Sequence, residues 1–357
     1  MAMHERPEWI REPKRLEELS ASWDRLATGI FEPFLRNAWF LAWWDAFGAG
    51  RELRTCVLWR GDELVGAFPL CATADGRLAA LSNGHSPVFH PLSSDAAAER
   101  ALVAAAMDGS SELVVEGVPV GDHLGRLMSE VRSHRRLRVV EPWQTSPIVD
   151  TTGSFEQYRA ERKGRWREIE RRQRKLRREH EVEERLIEAP RDVERELTRG
   201  FEVEASGWKG RAGTAIASSP ETARFYRGVA AYLQRHDELR LSTLSADGGV
   251  IAFDLGLVHK ARYYLLKTGF EESWRRFAPG LALRLSVVER CFDLGLESHE
   301  FLGTEMGWKG LFATNAREHR VFRAYAWRPP KLVRFAYRRA ARPVLARAYH
   351  RVRPEER

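Results

Sequence analysis

The stretch from Ile251 to Ala313 constrains this chain most, because its pattern reads as strand, strand, a helix entered through a tight turn, strand, then a second turn and helix. Ile251 to Val258 and Arg262 to Lys267 are short apolar runs rich in aromatic and branched residues. Separated by His259-Lys260-Ala261, they predict a β-hairpin. Past Thr268-Gly269, the segment Arg275-Arg276-Phe277-Ala278-Pro279-Gly280 leads into Leu281, Leu285, Val288 and Phe292, which recur at helical spacing. Pro279-Gly280 marks the helix start. A helix N-terminus aims free backbone N–H groups and its positive dipole end at one spot, which suits a pyrophosphate. Arg275, Arg276 and Arg284 add positive charge, and the donor-binding stretch is expected to run from Leu266 through Pro279, Gly280 and Leu281 to Leu285.

Several pieces, in order, resemble GNAT-superfamily acyltransferases of the double-lobed CelD/BcsL type, relatives of the FemAB peptidyltransferases. They are Ile251-Ala-Phe-Asp-Leu, Tyr264-Leu-Leu-Lys-Thr-Gly269, Ala278-Pro-Gly-Leu281, Phe301-Leu-Gly-Thr-Glu305 and Trp308-Lys-Gly-Leu-Phe-Ala313. Upstream, Ser146 to Asp150, Phe155, and Pro33-Phe34 with Trp39, Trp43 and Trp44 fit as well. The likeness covers roughly residues 15 to 327. It implies an α/β (α+β) fold of two GNAT-like lobes, each a mixed, mostly antiparallel sheet flanked by helices. It also implies acetyl-CoA or another acyl-CoA as donor, with a sugar, cell-envelope precursor or small metabolite as acceptor. The superfamily's phosphate loop, Gln/Arg-x-x-Gly-x-Gly/Ala, is reduced here to Ala278-Pro279-Gly280. Aminoacyl-tRNA, the donor of the FemAB relatives, is the alternative, and a non-catalytic scaffold holding an anionic polymer or membrane is the reading from another class.

A length of 357 residues suits two lobes of about 150 residues each. The expected division is 1–150 for the first lobe, 151–180 for a connecting helix, 181–330 for the donor-binding lobe and 331–357 for a basic tail. No apolar run is long enough to span a bilayer, and Met1-Ala-Met-His-Glu-Arg-Pro lacks a signal-peptide core, so a cytoplasmic address is expected. Cys56, Cys71 and Cys291 lie among apolar neighbours without ligand spacing, which predicts buried thiols and no metal site.

The 58 Lys+Arg against 50 Asp+Glu leave a net charge of +8, which favours anionic partners. Two basic runs stand out. Arg162 to Arg178 reads as a helix capped by Ser154, with Trp166, Ile169 and Leu176 as a narrow apolar stripe. A solvated connector, a contact for coenzyme phosphates and a tRNA surface all fit it. Lys331 to Arg357 mixes Leu332, Phe335 and Ala336 with arginines, which suits a helix docked on the protein or lying peripherally on an acidic membrane face.

Direct attack of an amine or hydroxyl on a thioester needs positioning and N–H donors rather than a side-chain nucleophile. Glu305, just past an apolar strand, is the first candidate base, and Asp254, inside one, is the second. Lys267 ends an apolar strand opposite the donor turn and is expected, with Glu305, to act on the acceptor from a groove between the lobes. Gly-Trp-Lys-Gly occurs twice, offering Trp208, Lys209, Trp308 and Lys309 as a flat wall and a charge for substrate. His85, in the polar loop Asn83 to Pro87, matches a family loop at the acceptor rim.

Overall fold

The computed structural model describes residues 5–30, 32–207, 213 and 215–341. The chain opens with β1 (Glu5–Ile10), α1 (Pro13–Glu18), α2 (Ser20–Ala27) and α3 (Asn37–Phe47). There follow β2 (Glu52–Leu53), β3 (Thr55–Arg60), β4 (Glu63–Phe68), β5 (Leu70–Ala72), β6 (Leu78–Ala80) and β7 (Leu92–Ser93). Next come α4 (Ala96–Asp108), β8 (Glu112–Pro119), α5 (Asp122–Ser133) and β9 (Leu137–Asp150). The second half contains α6 (Phe155–Glu179), β10 (Val182–Glu188), α7 (Val193–Ser206), α8 (Pro220–Arg235), β11 (Leu239–Ala246), β12 (Gly249–His259) and β13 (Arg262–Phe270). It closes with α9 (Pro279–Asp293), β14 (Ser298–Glu300), β15 (Asn315–Tyr325) and α10 (Pro329–Ala336).

Two compact units emerge. The first holds Met1–Trp44, Gly48–Gln144 and Glu318–Arg357, and the second Asp45–Phe47 and Thr145–Arg317. This division differs from the expected one at both ends. Residues from Glu318 pack with the first unit because β15 pairs antiparallel with β8, from His319 opposite Pro119 to Tyr325 opposite Glu112. The helix expected as a connector belongs to the second unit, where Trp166, Ile169 and Leu176 are buried in its core.

In the first unit, β1, β3, β4 and β7 form one antiparallel sheet. Strands β15, β8, β6, β5 and β2 follow one another in a second, where only β6 and β8 run parallel. Trp23, Trp39, Trp43, Phe34, Phe40, Phe68 and Phe89 fill its core. The N-terminus of α4 is capped by Asp95, whose carboxylate accepts from Ala97 and Ala98.

The second unit is built on β10-β11-β12-β13-β14-β9, antiparallel except for β13 and β14. The predicted hairpin is β12–β13, and Lys260 and Ala261, both at positive φ, make its two-residue turn. The predicted helix is α9, begun by Pro279. Both units are thus mostly antiparallel sheet with helices, the second on one mixed set of strands and the first on an antiparallel sheet and a mixed set. No helix among the described residues is long and apolar enough to cross a membrane.

Candidate active site

Two parallel strands of the second unit part company where the site forms. β13 pairs with β14 only over Arg262 to Tyr264, opposite Ser298 to Glu300. Beyond that the chain after β14 turns away, the Phe301 N–H donating to the Pro147 carbonyl at 3.0 Å. The stretch Leu265–Phe270 of β13 therefore has no partner strand on that side among the described residues. On its other edge, Leu265 faces Gly256 and Lys267 faces Leu255, so Leu266 is the extra residue of a β-bulge. A bulge beside a parted strand edge re-aims backbone groups into the gap.

The start of α9 lies just past this strand. Ala278 sits in the left-handed region, at φ 51° and ψ 51°, and no side chain caps the helix. For a non-glycine residue that conformation costs roughly 1–2 kcal/mol. Pro279 lacks an N–H, while Leu281 and Ala282 donate back to the Ala278 carbonyl. Gly280 is half-buried, and a β-carbon there would meet the Phe270 ring at 3.2 Å. Arg275 and Arg276 are exposed in the preceding turn, Arg275 bonded to Glu272 at 2.7 Å and Arg276 stacked on Phe277 at 4.5 Å. A helix start without a cap, a bulge and two exposed arginines are the features an anionic acyl donor would need.

Two expected site residues have other work. Arg284, expected at the donor phosphates, is fully buried and paired with Asp254 at 2.5 Å. Its guanidinium also donates to His299 Nε2 at 3.0 Å. Asp254, expected as a base, is equally buried, and its charge is committed to Arg284. Both assignments are corrected: the pair ties β12 to α9 beneath the site rather than facing a ligand. Accepting from Arg284 requires a lone pair on Nε2, so His299 is neutral with its proton on Nδ1.

Burial, and then the Arg284 charge, push the His299 pKa well below the ordinary 6.5. The folded state thus refuses a proton that the unfolded chain accepts below about pH 6.5. Stability from this group is full above that pH and is lost as pH falls. His90 in the first unit shifts the same way by burial, to about 3. Urea midpoints should drop between about pH 7.5 and 5.5, and the drop should shrink in His299→Gln, which still accepts from Arg284.

A cluster missed in the sequence sits on the face of β13 covered by α7 and α8. Gly200 of α7 lies against the Phe253 ring, where a β-carbon would come within 2.3 Å. Gly269 of β13 lies against the Glu204 backbone, where one would come within 2.6 Å of its Cα. These two close approaches seat α7 on the sheet and bury Glu204, which accepts the Ile216 N–H at 2.9 Å. Tyr226 of α8 is buried beside it. Burial first, and then the Glu204 charge, raise the Tyr226 phenol well above its ordinary value, so it stays protonated. The Lys267 ammonium lies 5.1 Å from the Tyr226 ring centre. A buried carboxylate, a protonated phenol and an ammonium are thereby gathered beside the bulge. The signal for Glu204 was present: it continues the Leu197, Phe201 face of α7 at helical spacing.

Glu305 is exposed on the loop after β14. That loop is braced from several sides. Ser146 Oγ donates to the Gly303 carbonyl, Trp166 Nε1 to Leu311, Tyr158 OH to Phe312 and Arg162 to Ala313. Lys309 belongs to the same bracing, which corrects its expected role as a charge for substrate. Its ammonium is buried and donates to the Leu302 and Thr304 carbonyls at 2.7 and 2.8 Å. Trp308 is half-buried, edge-on to Phe301 at 5.5 Å. Trp208 and Lys209 lie outside the described residues. His85 is in the first unit, in a turn where its N–H donates to Asn83 Oδ1 at 2.9 Å.

On α6, carboxylates answer many arginines: Arg171 and Arg172 share Glu168, Arg159 holds Glu170, and Arg177 holds Glu184. A cavity of about 410 Å³ beside this helix is lined by both signs of charge, including Arg174, Arg177, Glu184 and Glu289. It adjoins the C-terminal half of α9, away from that helix's start. Cys56, Cys71 and Cys291 are buried free thiols. Burial pushes Cys56 up to about 12, which leaves it protonated and unreactive.

Residues 162–310 match the sequence model of the acetyltransferase (GNAT) domain. The second unit therefore carries a GNAT-type acetyltransferase domain, and the chain is by class an acyltransferase. Among solved structures, FemX matches at TM-score 0.54 and 10% identity over 89% of this chain and 96% of its own. L-PGS from Bacillus licheniformis matches at TM-score 0.53 and 13% identity, over 91% and 95%. At this identity the likeness is one of fold. A tandem GNAT protein from the clavulanic acid biosynthesis pathway aligns over 91% of this chain and all of its own, at 14% identity and TM-score 0.48. No curated protein matches.

Proposed function

We propose that the chain transfers an acyl group, by preference acetyl, from acyl-CoA to an amine or hydroxyl of a sugar, cell-envelope precursor or small metabolite. The observation that carries this is the parting of β13 from β14 beside the Leu266 bulge, with the uncapped start of α9 next to it. The pyrophosphate is assigned to the start of α9, at the Gly280 N–H with Arg275 and Arg276, since the Leu281 and Ala282 N–H groups already donate to the Ala278 carbonyl, and the thioester to the gap at Leu266. In the reaction the acceptor nitrogen or oxygen bonds to the carbonyl carbon, the C–S bond breaks, and the thiolate leaves with the electron pair. Glu204 takes the acceptor proton, the Tyr226 hydroxyl, held protonated, donates a hydrogen bond to the departing thiolate, which then takes its proton from solvent, and Lys267 and Glu305 hold the acceptor. The CelD/BcsL subgroup, with its exopolysaccharide setting and a cytoplasmic address, is the family setting that the sequence resemblance supports.

Calorimetry with CoA should give micromolar affinity. Gly280→Asp should weaken it at least tenfold by bringing like charge to the phosphate. Gly280→Ala, which presents the same β-carbon to Phe270, should cost far less. Absence of affinity in the unaltered protein, or equal losses in the two variants, would remove the donor assignment.

The tRNA alternative is tested on α6. Reversing charge at Arg171, Arg174 and Arg178 should leave CoA affinity within about twofold, because these side chains are assigned no donor phosphate. A gel shift of tRNA at near-physiological salt, abolished by the same changes, would favour an aminoacyl-tRNA donor instead.

A further inference from the structure

The C-terminal helix of the first unit is amphipathic in the reverse sense. Its cations turn inward: Lys331 and Arg334 reach the buried Glu112 at 3.0 and 2.9 Å, Arg334 also reaches Asp75 at 3.4 Å, and Arg338 reaches Glu141 at 3.4 Å. Phe335 packs inward on Tyr325, ring centres 6.0 Å apart. The outward side is left to apolar groups. Val333 is 70% exposed, Tyr337 one turn on is 51% exposed, and Trp327 just before the helix is 65% exposed. Pro330 and Ala336 are exposed beside them. Isolated exposed apolar residues are ordinary, but an aromatic at each end of a continuous apolar helix face is not.

We propose that this face lies on an anionic lipid surface. Trp327 and Tyr337 would sit at headgroup level with Val333 between them in the acyl boundary, the arrangement interfacial helices use. Charge selects this occupant. Arg328 and Arg339 are exposed at the two ends of the face. The sequence beyond adds Arg342, Arg347, Arg351, Arg353 and Arg357 against only Glu355 and Glu356. Such a segment is drawn to lipid phosphates, whereas a second copy would bring its own arginines against these. The inference is independent of the acyl-transfer reading, and either can fail without the other.

The test is co-sedimentation of the full chain with vesicles of phosphatidylcholine alone and of phosphatidylcholine mixed equally with phosphatidylglycerol. Partition should be at least tenfold stronger on the mixed vesicles and should fall steeply as salt rises through the physiological range. Val333→Asp with Tyr337→Asp should reduce it at least tenfold while circular dichroism and the unfolding midpoint stay unchanged, since neither side chain is buried. Trp327→Ala alone should reduce it several-fold. Equal partition on the two vesicles, no partition at low salt, or a folded double variant that binds like the original would overturn the proposal. So would a concentration-dependent dimer that the same double variant dissolves, since the face would then belong to a second copy of the chain.

Discussion

Glu204→Gln is expected to lower turnover by about 10²–10⁴-fold while leaving donor affinity unchanged. The amide keeps the shape and can still accept the Ile216 N–H, so what is removed is the capacity to take a proton. With an amine acceptor, the loss should shrink as pH rises, because the free amine then needs no base. Steady-state rates across pH, with circular dichroism as the folding check, decide the matter. Glu305→Gln is the companion measurement. Its carboxylate is exposed on a braced loop, so the change should appear in acceptor KM by about threefold to tenfold. If the large loss of turnover instead belongs to Glu305→Gln and Glu204→Gln is near normal, the base assignment passes to Glu305 and the buried cluster becomes a positioning feature.

Breaking the buried pair beneath the site should have the largest effect on stability. Asp254→Ala strands the Arg284 guanidinium in a fully buried position, and removing one partner of such a pair costs about 3–5 kcal/mol. That is a large part of the roughly 5–15 kcal/mol that holds a folded domain together. The double variant Asp254→Ala with Arg284→Met should recover much of the loss, because no charge is left without its counter-ion. Urea unfolding of the four proteins in the cycle gives the coupling directly. Additive losses would show that the two side chains do not act as a pair.

How far the sequence revealed this arrangement depended on which forces act locally. The β12–β13 hairpin and α9 were legible because alternation, a turn and a proline start are written within a few residues of one another. β1 and β10 were not. Both are edge strands, rich in charge because one side faces water, and β1 contains Pro7, which only an edge tolerates. Asp254 was legible as buried, but its partner lies on a helix 30 positions later, and nothing local distinguishes Arg284 from the arginines that face solvent. Lys309 misled for a related reason: the letters Gly-Trp-Lys-Gly do not tell whether an ammonium meets a ligand or two carbonyls of its own loop. Glu204 hid among the other glutamates of α7, although its spacing from Leu197 and Phe201 marked the buried side. The GNAT resemblance agrees with the domain match over 162–310, whereas the return of the chain from Glu318 to the first unit has no local signature.

The seating of α7 also bears on how acceptor preference could diverge among chains of this kind. The depth of Glu204 is set by what is missing at Gly200 and Gly269, two positions that carry no chemistry. A single methyl at either would force the helix, and with it the carboxylate, to shift; with Glu204 as the base proposed above, that would change which nucleophiles fit although no polar residue is replaced. Selection for new acceptors could therefore act on backbone clearance, and a comparison of related chains that looked only at reactive side chains would miss it.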